Sequence, residues 1–252
     1  MARNSLVLGS TGQVGRHLLK SLLASPQIAQ LTEAGRRSAI DTGIVQRDDL
    51  LGHQKLTQPV ILDFAQGPED CAASKDKLQN KDIVYIALGT TRKAAKSPQA
   101  FEDIDRGYPV LAAKLAKTEN LKQTLVYCSS AGASANSPFL YPKSKGLTEI
   151  ELTDIGYDQN IIFRPGALAD VARPESRFLE SVLLKVTGIM SCITDSIQIP
   201  VSTLGLAMAK AGVLGYEGLE KHGIGQKIST QSNKEFWLIG NAEAIKLAKI
   251  VV

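Results

Sequence analysis

Apolar positions along this chain follow two periods, and the points where one gives way to the other mark its elements. Residues 5–8 form a short apolar run of the kind a sheet buries on both faces. From Val14 through Leu18 to Leu22 the apolar positions recur at helical spacing. Between run and helix lie Gly9, Ser10, Thr11, Gly12, Gln13, Val14 and Gly15, with three glycines spaced G-x-x-G-x-x-G. Further strands are predicted at residues 27–34, 59–64, 82–88, 124–128 and 161–163. A helix is predicted over residues 101–117, with Ile104, Tyr108, Leu111 and Leu115 on one side and an irregular turn or kink at Pro109. Another runs from Tyr141 to Leu152.

Beyond Gly166 the alternation loosens into a roughly helical apolar stretch at residues 178–193, a short strand at 197–201, and helices at 204–214 and 241–252. Alternating strands and helices predict an α/β fold, a Rossmann-like doubly wound parallel sheet. Residues 1–252 then make one domain, in which roughly 166–252 form a small C-terminal substrate subdomain.

Composition narrows the class. The 252 residues are 44% hydrophobic and 21% charged, with a net charge of +4. That balance suits an anionic cofactor or a membrane surface and gives no reason to expect nucleic acid, since no basic run exceeds Arg36-Arg37. Cys71, Cys128 and Cys192 are odd in number and widely spaced, which speaks against a disulfide framework or a metal site and for a reducing compartment. His17, His53 and His222 show no ligand spacing, and the lone Trp237 reads as a packing anchor. No apolar run reaches the roughly 18 residues of a membrane-spanning helix. The first strand begins by Ser5, so no cleaved presequence is expected ahead of it.

A strand, a glycine turn and a helix start, in that order, make a site for a dinucleotide pyrophosphate. Backbone N–H groups at the helix start, with the helix dipole behind them, favour the negative charge. Residues Gly9 to Gly15 are therefore read as cofactor-binding. About 20 residues further on, at the end of the second strand, stand Arg36 and Arg37 rather than an acid; the nearest acid, Glu33, comes before the strand end. Guanidinium groups pair bidentately with a 2′-phosphate, so the expected cofactor is NADP (NADPH). Asp63, at the end of the third strand, is a candidate acceptor for the adenine amino group. Leu88, Gly89 and Thr90 follow the fourth strand, where a small residue lets the cofactor pass close by.

A serine after the fifth strand and Tyr141-x-x-x-Lys145 on the next helix supply the parts for hydride chemistry on a carbonyl. Tyr141 is the candidate general acid. A free phenol has a pKa near 10, so it needs a neighbouring cation at neutral pH, and Lys145, one helical turn away, supplies it beside the nicotinamide ribose. Ser130, or else Ser129, would hydrogen-bond the substrate oxygen. No histidine follows the serine pair closely, which makes a hydrolase triad a poor reading.

The glycine pattern, Leu88-Gly89-Thr90-Thr91-Arg92, Ser129-Ser130-Ala131-Gly132-Ala133, Tyr141 to Lys145 and Phe163-Arg164-Pro165-Gly166 together resemble an atypical short-chain dehydrogenase/reductase. In particular they are similar to the fungal "found in mitochondrial proteome" proteins and the HIV Tat-interactive oxidoreductase-like proteins of animals. The resemblance runs from about residue 5 to 215, with a poorer match in the tail. It implies a Rossmann-like fold binding NADPH and, for the fungal branch, peripheral attachment to the mitochondrial outer membrane on its cytosolic face. The apolar positions Phe178, Leu179, Val182, Leu183, Val186, Ile189 and Met190, with Lys185 nearby, suit either such a membrane contact or a cap on the substrate pocket. Two functions compete: an NADPH-dependent reductase of small carbonyl compounds, and an NADPH-binding scaffold or redox sensor acting through a protein partner.

Overall fold

The computed structural model describes residues 2–44, 55–57, 59–64, 68–170 and 198–251. Strand β1 (Arg3–Leu8) turns into helix α1 (Gln13–Ala24), which returns the chain to β2 (Ile28–Gly35) and the short β3 (Val60–Ile61). Then come β4 (Ile83–Ile86), a helical stretch ending in α2 (Tyr108–Ala116), β5 (Thr124–Cys128), α3 (Leu140–Asp154) and β6 (Gln159–Arg164). The chain continues through β7 (Ala167–Ala169), β8 (Gln198–Pro200), α4 (Val201–Lys221), β9 (Gln226–Ser229), β10 (Glu235–Gly240) and α5 (Asn241–Lys249).

Eight strands form one sheet in the order β3-β2-β1-β4-β5-β6-β10-β9. All its pairs are parallel except β10 with β9. The fold is Rossmann-like and α/β, as the alternation predicts. The order reverses between β1 and β4, and in such sheets the crevice for ligands opens at the carboxyl ends flanking that reversal.

The strands are buried on both faces, so successive side chains feed two separate cores. Val7, Tyr85, Val126 and Ile161 point to one face, against Leu18, Leu19 and Leu22 of α1 and Leu204, Met208 and Ala211 of α4. Leu6, Leu8, Val84, Ile86, Leu125 and Ile162 point to the other, against Val110, Ala113 and Ala116 of α2 and Leu152 of α3. Apolar helices on both faces hold the sheet so that its carboxyl edge carries the loops.

Three departures from the predicted elements have physical causes. The third strand pairs over only two residues, because it meets the sheet at Ala34 and Gly35, the very end of β2. The helix predicted over 101–117 is three pieces: Pro98–Glu102, a π-helical turn at Asp103–Gly107, and α2. Pro109 has no N–H for the Asp105 carbonyl, and the Tyr108 N–H bonds back five residues to Asp103 O. Finally, the loosened pattern past Gly166 still returns to the sheet. β10 pairs with β6, and β9, polar and largely exposed, closes the far edge. A small two-stranded sheet of β7 and β8 stands apart from it.

Trp237 does anchor packing: it is buried on β10 and its Nε1 donates to Ile224 O at 2.7 Å. The predicted apolar stretch at 178–193, Cys192 and His53 lie outside the described residues. Among the described residues no helix is long and apolar enough to cross a membrane.

Candidate active site

The turn after β1 is shaped by close backbone contact. Gly9 has φ +87°, and a Cβ there would lie 2.7 Å from the carbonyl atoms of Ala87, just past β4. A Cβ on Gly15 would fall 1.9 Å from the Gly9 carbonyl oxygen, so only glycine lets α1 begin this close to the strand. The Gly12 N–H donates to Gly9 O at 2.9 Å, closing the turn. Gly12 is also the N-cap of α1, with no side-chain cap and no acid in the first turn. Uncapped N–H groups at the start of a twelve-residue helix, beside a turn built of glycine, fit a dinucleotide pyrophosphate. Ser10 and Val14 are buried beneath this turn, while Thr11 and Gln13 are half-exposed on it.

At the end of β2 the acid that sequence spacing left in view is occupied. Glu33 is buried and accepts from Ser38 Oγ at 3.0 Å and from the Ala39 N–H at 3.1 Å. These bonds fold the chain back and leave Arg36 and Arg37 exposed at the tip. Asp63 is exposed two residues beyond β3. After β4, Leu88 and Thr90 are half-buried and Gly89 is exposed.

The two serines after β5 separate by environment. Ser129 is buried, and its Oγ donates to Glu149 Oε1 at 2.5 Å. Arg164 at the end of β6 grips the same carboxylate through Nε at 3.0 Å and Nη2 at 2.5 Å. Ser130 is half-exposed, with its Oγ 3.3 Å from Ala131 O. Of the pair left open by sequence, Ser129 is committed to Glu149, and Ser130 is the more exposed of the two.

Tyr141 is 38% exposed in the first turn of α3, its ring tilted against buried Phe101 at 6.0 Å between centroids. Lys145, one turn on, is buried. Its Nζ lies 3.1 Å from Asp105 Oδ1 and donates to Tyr127 Oη at 3.0 Å. Burial alone would lower the lysine pKa, but the Tyr127, Asp105 and Tyr141 oxygens around the ammonium together hold it above the usual range. Burial raises the Asp105 carboxyl, partly offset by the Lys145 charge and hydrogen bond and by the Thr90 N–H. Burial likewise raises the Tyr127 phenol, and it pushes the Cys128 thiol up to about 11. Lys145 pulls that thiol down and Asp105 pushes it up.

Sequence reasoning missed Asp105, Tyr127, Glu149 and Arg164. Two signals were available: Pro109, which announces the irregular turn carrying Asp105, and the Phe163-Arg164-Pro165-Gly166 motif, which contains Arg164. Among the described residues no cluster of three or more His, Cys, Asp or Glu side chains could hold a metal ion.

A mostly parallel sheet with an uncapped glycine turn at the strand-order reversal defines a dinucleotide-binding fold. Residues 5–152, more than half of the chain, match the model of the NAD dependent epimerase/dehydratase family, and the chain belongs to that family. It is 35% identical over 185 residues to "Protein FMP52, mitochondrial" of Candida albicans, covering 73% of this chain and 75% of that one. It is 30% identical over 247 residues to "Protein fmp52-1, mitochondrial" of Aspergillus terreus, covering 96% and 97%. The latter match extends over nearly the whole chain, the tail included.

Two solved structures share the fold. The carbonyl reductase Sniffer of D. melanogaster has a TM-score of 0.56 at 15% identity, covering 86% of this chain and 94% of that one. DesIV of Streptomyces venezuelae, a dTDP-glucose 4,6-dehydratase with NAD and TYD bound, has a TM-score of 0.57 at 16% identity, covering 82% and 70%.

The serine environments set a stability test. Ser129→Ala removes a hydrogen bond to a buried carboxylate and is expected to cost about 1.5–3 kcal/mol in chemical denaturation. Ser130→Ala is expected to stay within about 0.5 kcal/mol. Equal losses would mean that the two hydroxyls are not divided as described.

Proposed function

We propose that this protein is an NADPH-dependent reductase of small carbonyl compounds. The observation that carries this reading is Tyr141, a 38% exposed phenol one helical turn from a buried lysine that lies against Gly89, while Ala87, two residues earlier, lies against the glycine turn suited to a dinucleotide. Residues Gly9 to Gly15 bind the pyrophosphate, Leu88 to Thr90 line the path toward the nicotinamide, and Asp63 takes the adenine end. Arg36 and Arg37 bind the 2′-phosphate. Glu33 supports that choice: an acid already accepting from Ser38 and Ala39 is poorly placed to take a hydrogen bond from an unphosphorylated 2′-hydroxyl. When bound, the cofactor supplies the hydride. Ser130 orients the carbonyl oxygen, Tyr141 gives its proton to that oxygen as negative charge develops, and the Lys145 cation favours the phenolate left behind. One protein of the same fold, Sniffer of D. melanogaster, is a carbonyl reductase, which accords with this chemistry.

Cofactor choice is tested by titrating NADPH and NADH into the wild-type protein and the Arg36→Ala and Arg37→Ala variants. NADPH is expected to bind more tightly than NADH, and each substitution to weaken NADPH on the order of tenfold while leaving NADH unchanged. Equal dissociation constants for the two nucleotides would remove the assignment.

The chemical step is tested with a panel of aldehydes, ketones and quinones, following NADPH oxidation. Tyr141→Phe is expected to lower turnover by about 10²–10⁴ with NADPH affinity kept within a few-fold. Should NADPH bind while no carbonyl is reduced above the Tyr141→Phe background, the scaffold or redox-sensor reading replaces the reductase.

Relatives whose names carry "mitochondrial" support a further proposal: peripheral attachment to the outer membrane, facing the cytosol. In isolated mitochondria the protein is expected to be released by carbonate and digested by added protease. Protection from protease in intact organelles would overturn this placement.

A further inference from the structure

The cluster of Asp105, Lys145 and Tyr127 is more than a tyrosine–lysine pair requires. A lysine serving only as a cation beside a phenol and a ribose has no need of a buried carboxylate. Here Lys145 is 4% exposed and Asp105 0%, with Nζ 3.1 Å from Oδ1. The carboxylate is steadied by the Lys145 ammonium and the Thr90 N–H. Burying a carboxylate is costly even so. The backbone is also distorted to place it, since Asp105 sits in the π-helical turn, a local irregularity that recurs at functional sites. On its other side the cluster lies against Gly89. A Cβ there would come within 3.3 Å of Asp105 Oδ1 and 3.6 Å of Lys145 Nζ, so the pair forms the floor under the exposed Gly89 backbone.

We propose that Asp105 is a positioning residue that pins the Lys145 ammonium beneath Gly89 and, by opposing its charge, sets how strongly that cation acts on Tyr141. The proposal rests on the reductase reading for its consequence in catalysis, but the pinning itself is a property of the protein without ligand. The ionisable groups facing Lys145 from each packed element are few. The π-turn presents Asp105, while the neighbouring Arg106 is turned to Glu102 and Glu151. β5 presents Tyr127 and Cys128. On α3 itself Tyr141 precedes it, and Glu149 follows, closed off by Arg164 of β6. Asp105 is thus the carboxylate whose charge directly offsets that of the lysine. When Tyr141 passes its O–H proton to the reduced carbonyl oxygen, the phenolate left behind is drawn toward Lys145 and repelled by Asp105.

Cys128 reports this balance without any substrate, because Lys145 and Asp105 act on its thiol in opposite senses. In protein labelled with 13C-cysteine, the Cys128 Cβ resonance, assigned by its absence in Cys128→Ser, is followed against pH. The parent is expected to titrate near 11. Asp105→Asn removes the opposing negative charge and is expected to bring that midpoint down by about one unit. Lys145→Met is expected to move it up. Opposite shifts cannot come from general loosening, and Asp105→Ser, which also removes the negative charge, takes the place of Asp105→Asn if that variant does not fold. An unmoved Cys128 midpoint in folded variants would overturn the pinning.

For catalysis, carbonyl reduction needs the Tyr141 proton and falls as pH rises. Asp105→Asn is expected to move that alkaline limb to lower pH, whereas a merely structural residue would lower the rate at every pH alike. A fixed limb in an active variant would overturn the tuning role. Shifted Cys128 midpoints with no turnover of any carbonyl would sink the reductase reading and leave the pinning in place.

Discussion

Everything at the carboxyl edge of this sheet depends on one steric constraint, the contact of the turn after β1 with its neighbours. The Gly9 carbonyl lies where a Cβ on Gly15 would have to be, and Gly9 itself leaves no room for a Cβ against Ala87. Because both positions lack side chains, α1 starts directly on the strand and the end of β4 runs beside it. This sets the α1 N-terminus against Ala87, and two residues further on Gly89 lies against Lys145 of α3, at the carboxyl end of the strand-order reversal. A single methyl group at Gly15 would push α1 off the sheet and open that arrangement.

Around this frame, buried charge does the local arranging. Three acids are fully buried among the described residues, Glu33, Asp105 and Glu149, and each lies toward the carboxyl end of the sheet. Glu33 folds the loop after β2 through Ser38 and Ala39, which brings Arg36 and Arg37 out to solvent. Glu149 ties Ser129 of the β5 loop to Arg164 of β6 and so orients the loop that carries Ser130. Asp105 meets Lys145 under Gly89. Isolated carboxylates in such surroundings would be strongly destabilising, and each here is matched by hydrogen bonds or a cation. The apolar core is formed by the sheet faces; the shape of the crevice edge comes from these acids.

The elements of the core were legible in the chain because their signals are local. Alternation of buried strands with amphipathic helices, the spacing of Gly9, Gly12 and Gly15, and Tyr141 four residues before Lys145 are each contained within a few turns of backbone. Pro109 likewise announced an irregular turn, because a missing N–H acts on its own helix. The far edge was not legible. β9 is a polar edge strand whose residues take strand form only because β10 offers an antiparallel partner, and β10 in turn depends on β6, more than seventy residues earlier.

The electrostatics of the site belonged to tertiary structure alone. Nothing near Lys145 in sequence points to Asp105, forty residues away across a π-turn, or to Tyr127 on a neighbouring strand. Ser129 and Ser130 are the same residue type side by side, and only the approach of Glu149 from α3 and Arg164 from β6 distinguishes them. Sequence by itself determined the residue types available for the chemistry and the periodicity that builds the sheet. Which charges face each other was decided by the packing of distant elements, because a Coulomb interaction depends on separation in space and on burial, and neither is encoded in local spacing.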